Sequence, residues 1–133
     1  MIKLTAIAPK GRTLEERARA AIRALDATAD ETRGQLGMVV SAWEHHVRFE
    51  VSGSGPDERI IATDDAVFAY QNDGTKPHTI MPRRKTILRF QAGGATVWAR
   101  RVRHPGTRAQ QWTITIAARM QRRLAARIQQ ELQ

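Results

Sequence analysis

Met120, Leu124, Ile128 and Leu132 recur at every fourth position, with Ala117 and Ala125 beside them. This spacing lines one face of an α-helix and predicts a helix over 113–132. A stripe of this kind is marginal in water on its own, so the rest of the chain must supply an apolar surface for it. Arg119, Arg123 and Arg127 form a second stripe along the same helix, with no acidic residue among them. Like charges four residues apart destabilise an isolated helix by a few tenths of a kcal/mol per pair. One face is therefore predicted to meet the core and the other an anion or an acidic partner. Glu15, Glu16, Asp30 and Glu31, on or near the first helix, are the natural complement, either within one subunit or on the next.

That first helix is predicted over 13–33. Thr13-Leu14-Glu15-Glu16 fits a capping box, in which the Thr13 hydroxyl and the Glu16 carboxylate each satisfy a backbone N–H of the first turn. Leu14, Ala18, Ala21, Ile22, Leu25 and Ala29 then fall on one helical face, and Gly34 and Gly37 bound the end. Residues 39–104 read as antiparallel sheet. Val47, Phe49 and Val51 alternate with Arg48 and Glu50, and the Ser52–Asp57 turn cluster returns the chain into a strand over Arg59–Thr63. Ala66–Tyr70 reads as a short third strand. Ile87–Phe90 and Ala95–Val102 pair through Gln91-Ala92-Gly93-Gly94. The fold class expected is α+β: an N-terminal helix, an antiparallel sheet of four or five strands and a C-terminal amphipathic helix, in one domain over 1–133, with both helices on one face of the sheet.

Charge separates the two halves of the chain. Residues 1–75 carry 9 basic and 12 acidic groups, whereas residues 76–133 carry 13 basic groups and a single acid, Glu131. The balances of −3 and +12 sum to the net +9. A one-signed half repels itself and calls for nucleic acid or an acidic neighbour. No apolar run approaches the roughly 20 residues of a membrane span. Neither a secretory signal nor a cysteine is present, which points to a soluble product of a reducing cytoplasm.

The stretch 72–86, NDGTKPHTIMPRRKT, carries Gly74, Pro77 and Pro82 and reads as a loop. Its Lys76, Arg83, Arg84 and Lys85 flank an apolar pair, Ile80-Met81, as expected of an extended arm laid on another subunit, although a solvated surface loop fits the pattern equally. Pro105-Gly106 forces a second turn, and the two punctuated stretches are expected to converge at one end of the sheet, bringing His78 towards His104. His45 and His46 are adjacent and on a strand would face opposite ways. No metal-binding spacing, nucleotide loop or nucleophile motif occurs. Asp57-Glu58, Asp64-Asp65 and Asp73 are the carboxylates left for a metal-dependent nuclease, and each lies where Asp serves a turn or strand end. The pattern predicts no enzyme, no cofactor, no metal and no small-molecule substrate.

The run Tyr70–Pro82 resembles the GTKPH-x-I-x-P signature of siphophage neck and minor-tail (tail-completion, head–tail joining) proteins. Ile87-Leu88-Arg89-Phe90 is similar to that family's ALRF strand, Val97–Val102 to its next strand and His104-Pro105-Gly106-Thr107 to its HPGT turn, all in the same order. Gly34-Gln35-Leu36 echoes the TGxL that ends the family's first helix, so the likeness spans roughly 34–110. Gln110-Gln111-Trp112 departs from it, standing where the family has a proline–aromatic pair. The resemblance implies a structural virion component, assembled in the host cytoplasm as a ring, sixfold by analogy with tail-end rings. Its partners would be further copies of itself and neighbouring neck or tail proteins, with non-specific contact to phage DNA. Lys76, His78, Ile80, Met81, Arg83, Arg84, Lys85, His104, Arg119, Arg123 and Arg127 are the candidate interface or DNA-facing residues. A sequence-independent nucleic-acid-binding protein is the alternative.

Overall fold

A computed structural model describes residues 1–7, 13–83 and 87–132. In chain order the elements are β1 (Ile2–Thr5), α1 (Leu14–Val40), β2 (Glu50–Ser52), β3 (Glu58–Ala62), α2 (Ala66–Asp73), β4 (His78–Ile80), β5 (Leu88–Ala92), β6 (Ala95–Ala99), β7 (Val102–His104) and α3 (Trp112–Glu131). The class is α+β, and the strands divide among three small antiparallel sheets instead of one sheet of four or five. One sheet has the order β1-β3-β2; β4 pairs with β7, and β5 with β6.

The capping box forms as expected: Glu16 N–H donates to Thr13 Oγ1, and Thr13 N–H to the Glu16 carboxylate. The helix then runs past Gly34 and Gly37 to Val40, well beyond the expected end at 33. Each interior glycine costs about 1 kcal/mol relative to alanine. Burial of Leu36 and Val40 on the same face as Ala29 and Thr32 more than offsets this. The core stripes of α1 and α3 meet there: Leu25, Ala29 and Leu36 share one cluster with Ile116, Met120, Leu124 and Ile128. Leu132 packs against its edge.

The three-stranded sheet closes the other side of this cluster. Ile2 and Leu4 alternate with exposed Lys3 and Thr5, and Ile2 stands opposite Ile61, so the three apolar side chains share the inward face. β1 is an element that the sequence pattern does not anticipate. The β2–β3 hairpin forms as expected, but its ladder begins only at Glu50. Val47 and Phe49 are nevertheless buried while Arg48 is exposed, so the alternation predicted for 46–51 records burial more faithfully than strand pairing. Arg59 is buried, with its Nε donating to Asp26 of α1 at 2.9 Å and its Nη1 to the Gly55 and Glu58 carbonyls, which ties the hairpin turn to the helix.

Ala66–Tyr70 belongs to a helix and not to a third strand. Asp65 caps it by accepting from Phe68 N–H at 2.9 Å, and Gly74 ends it at φ 79° with its N–H on the Tyr70 carbonyl. A five-residue apolar run suits either element, and here the caps decide. The expected loop over 72–86 is likewise interrupted, by the end of α2 and by β4. The strand expected over 95–102 is two, β6 and β7, which pair with different partners.

Candidate functional site

Two hydrogen bonds close a neck in the chain. Thr75 and Thr107 exchange backbone N–H···O contacts of 2.9 and 3.1 Å, forming an isolated bridge. Beyond it lie β4 and β7 and, further along the chain, the β5–β6 ribbon turned at Gly93-Gly94. Among the described residues, none between 75 and 107 enters the core cluster. Ile80 (37% exposed), Met81 (67%), Ile87 (45%) and Trp98 (64%) stand open to solvent. The segment 75–107 carries eight basic residues and no acid.

The expected convergence of the two punctuated stretches takes place on this segment. His78 and His104 are cross-strand partners with rings stacked 4.9 Å apart. His78 Nδ1 hydrogen-bonds the Lys76 carbonyl at 2.9 Å, and His104 Nδ1 accepts from Gly106 N–H at 3.0 Å. Both imidazoles are thereby committed to shaping the strand ends. Among the described residues no group of three or more acidic or histidine side chains is placed to hold a metal ion. Lys76 and Arg83 are exposed, while Arg84 and Lys85 lie outside the described residues. On the ribbon Arg89 stands opposite Trp98 with its guanidinium 5.6 Å from the indole centroid, a cation–π pair that no sequence motif singles out.

The arginine stripe of α3 takes the intramolecular of its two possible arrangements. Arg123 Nε lies 2.8 Å from one Glu31 oxygen, Arg127 pairs with the other, and Arg127 Nη1 also donates to the buried Thr28 hydroxyl at 2.9 Å. Arg119 donates to Gln35. Partial burial pushes the Glu31 carboxyl up, but hydrogen bonds and charge from Arg123 and Arg127 outweigh it and hold the group below its ordinary 4.5. A carboxyl depressed in the fold stabilises above its ordinary value, and that contribution disappears as pH falls through the lower folded value. Glu31→Gln is expected to cost about 1–2 kcal/mol at neutral pH, between a surface pair and a charge-assisted buried bond. Urea titrations should show the gap between variant and wild type narrowing below pH 4.5. A gap that stays constant through the acid range would mean that the ion pairs contribute nothing.

The last feature is a groove of about 560 Å³ between the start of α2 and the start of α3, walled by Trp43, Glu44, Val67, Gln71 and Trp112. Trp43 and Trp112 of its wall belong to a larger aromatic cluster in which Phe68 stacks on Trp112 at 5.8 Å, Trp43 lies 5.9 Å from Trp112, and buried Phe49 meets buried Phe68 edge-on at 5.0 Å. Comparison with family models, characterised proteins and solved structures finds no match. The site therefore rests on its own geometry. His45 pairs with Asp65 at the groove's rim. The Phe68 backbone N–H, together with His45, holds the Asp65 carboxyl below its ordinary value. α3 enters beside the groove without a side-chain cap of its own, its N-cap Gln111 sitting at φ 56°. Buried Asn72 of α2 supplies the cap instead, since its Oδ1 accepts from Thr113 N–H at 3.0 Å and its Nδ2 donates to the Thr113 hydroxyl. The start of α3 is thus capped from another helix, which no local pattern in the sequence announces.

Proposed function

We propose that this chain is a non-enzymatic structural subunit of a tailed-phage or prophage virion, forming a homo-oligomeric ring at the head–tail junction or tail end. The observation that carries the reading is the segment 75–107, with its exposed apolar side chains and its separation from the core. Two-stranded ribbons are marginal in water, so a segment built of two of them favours a partner surface. Exposed apolar residues clustered on one such segment mark a contact site. The GTKPHTIMP, ILRF and HPGT pieces on which the resemblance rests fall on the same segment and its root. Neighbouring neck or tail proteins are the further partners of such a ring.

The second reading, a sequence-independent nucleic-acid binder, is favoured by one observation, the Arg89–Trp98 pair on a segment, 75–107, whose charged residues are all basic. Exposed aromatics among cations stack bases and neutralise phosphates. Sedimentation and negative-stain microscopy of the purified chain, with and without duplex DNA, separate the two. Closed rings of one size, forming with rising concentration in the absence of DNA, are expected. A monomer at all concentrations that binds DNA with a steep salt dependence would replace the ring with the nucleic-acid reading.

A further inference from the structure

Opposite charges are segregated into two consecutive blocks. Residues 44–73 hold seven acidic and two basic groups; residues 74–108 hold nine basic groups and no acid. The first block builds the groove and its surroundings, and the second builds the segment beyond the Thr75–Thr107 bridge. Glu44 on the groove wall is exposed, as are Glu50 and Asp64, which line a second cleft with Arg48. Among the described residues none of these three carboxylates has an ion-pair partner. The chain does not satisfy the match within itself, because Met81 remains 67% exposed and the groove stands open.

Resting on the ring reading, we propose that the Ile80–Arg83 stretch of one copy docks in the Trp43–Glu44–Val67–Trp112 groove of a second copy. Met81 is a flexible, polarisable side chain suited to an irregular aromatic pocket, and sulfur–aromatic contact adds to its burial. Arg83 and Lys76 flank it with positive charge where the groove offers the exposed carboxylate of Glu44. The two surfaces differ, so the contact is head-to-tail: after it forms, the first copy keeps a free groove and the second a free donor stretch. A contact of this kind propagates into a closed ring or a filament unless two copies exchange their stretches reciprocally.

The test uses two variants of the full chain, both altered at exposed positions: Met81→Asp with Arg83→Glu on the donor stretch, and Val67→Glu with Glu44→Arg at the groove. Far-UV circular dichroism and the thermal midpoint check that each stays folded. Sedimentation velocity at low salt should show the wild type as a ring and each variant alone as a monomer. An equimolar mixture should give a 1:1 dimer and nothing larger, since each variant retains one of the two surfaces. The milder Met81→Ala and Glu44→Gln changes should each weaken ring assembly at least tenfold. Variants that assemble like the wild type, or a mixture that stays monomeric, overturn the docking and leave the ring standing. A wild type that never assembles overturns both. Loss of DNA binding with Met81→Asp/Arg83→Glu, in rings that still form, would assign the stretch to nucleic acid instead.

Discussion

Replacing Phe68 by Ala is expected to remove about 3–5 kcal/mol of stability, the range for an aromatic lost from a packed core. Phe68 and Asn72 are the buried residues of α2, and Phe68 is the ring shared by Phe49, Trp43 and Trp112. Without it the short helix loses most of its hold on the core. Val67 then no longer walls the groove, and Asn72 no longer reaches the uncapped start of α3. The thermal midpoint should therefore fall on the order of 10–20 °C. The near-ultraviolet circular dichroism from Trp43 and Trp112 should weaken even at temperatures where the variant remains folded. Phe68→Leu, which keeps most of the volume, should cost about 1–2 kcal/mol. A loss below 1 kcal/mol for the alanine variant would show that the aromatic cluster is peripheral to stability.

Gly106→Ala is expected to act locally and strongly. Gly106 sits at φ 88°, and a Cβ there would lie 2.4 Å from the Thr75 carbonyl oxygen and 3.0 Å from Lys76 C and Pro77 N. All three are backbone atoms, so no side chain can swing aside. Left-handed strain and the displaced strand together amount to about 2–4 kcal/mol. Opening the Thr75–Thr107 bridge relieves that strain at the least expense. Amide exchange should accelerate at Thr75 and Thr107 and remain unchanged in the middle of α1 and α3. Gly74, at φ 79°, where a Cβ would lie 2.8 Å from the Thr107 carbonyl oxygen across the same neck, should respond alike. Gly93→Ala is the control: its φ is 59° and nothing lies within 4 Å of a new Cβ, so about 1 kcal/mol of strain is all that is expected. Uniform loss of protection across α1 and α3 in Gly106→Ala would show that the neck is part of the core's cooperative unit. If the segment beyond the neck docks on a neighbour, the same change should also weaken assembly, because the donor stretch is no longer held at a fixed angle.

Both terminal helices are legible because each carries a long apolar repeat, and the signal accumulates over several turns. The expected end of the first falls short because a glycine pair reads as a stop. Gly34 and Gly37 have open space where a Cβ would stand, and burial of Leu36 and Val40 carries the helix through them. Short elements are less legible. β1 is four residues long, and the run 66–70 has no period that separates strand from helix. Asp65 and Gly74 are the signals that identify α2, as a cap at one end and a left-handed stop at the other.

At the candidate site the division is similar. Punctuation by Pro77, Pro82, Pro105 and Gly106 marks two stretches and suggests their convergence, since prolines and glycines act through their own backbone and need no partner. The arginine stripe is visible as a stripe. That Glu31 receives Arg123 and Arg127 within the same chain depends on how α1 lies against α3. The groove, the Asn72 cap on α3 and the Arg89–Trp98 pair join residues from separate elements. Periodicity, caps and charge blocks are properties of neighbours along the chain, and they can be read there directly. Which helix face meets which partner, and which acid neutralises which base, is set by contacts between residues far apart in sequence, and those contacts exist only once the chain has folded.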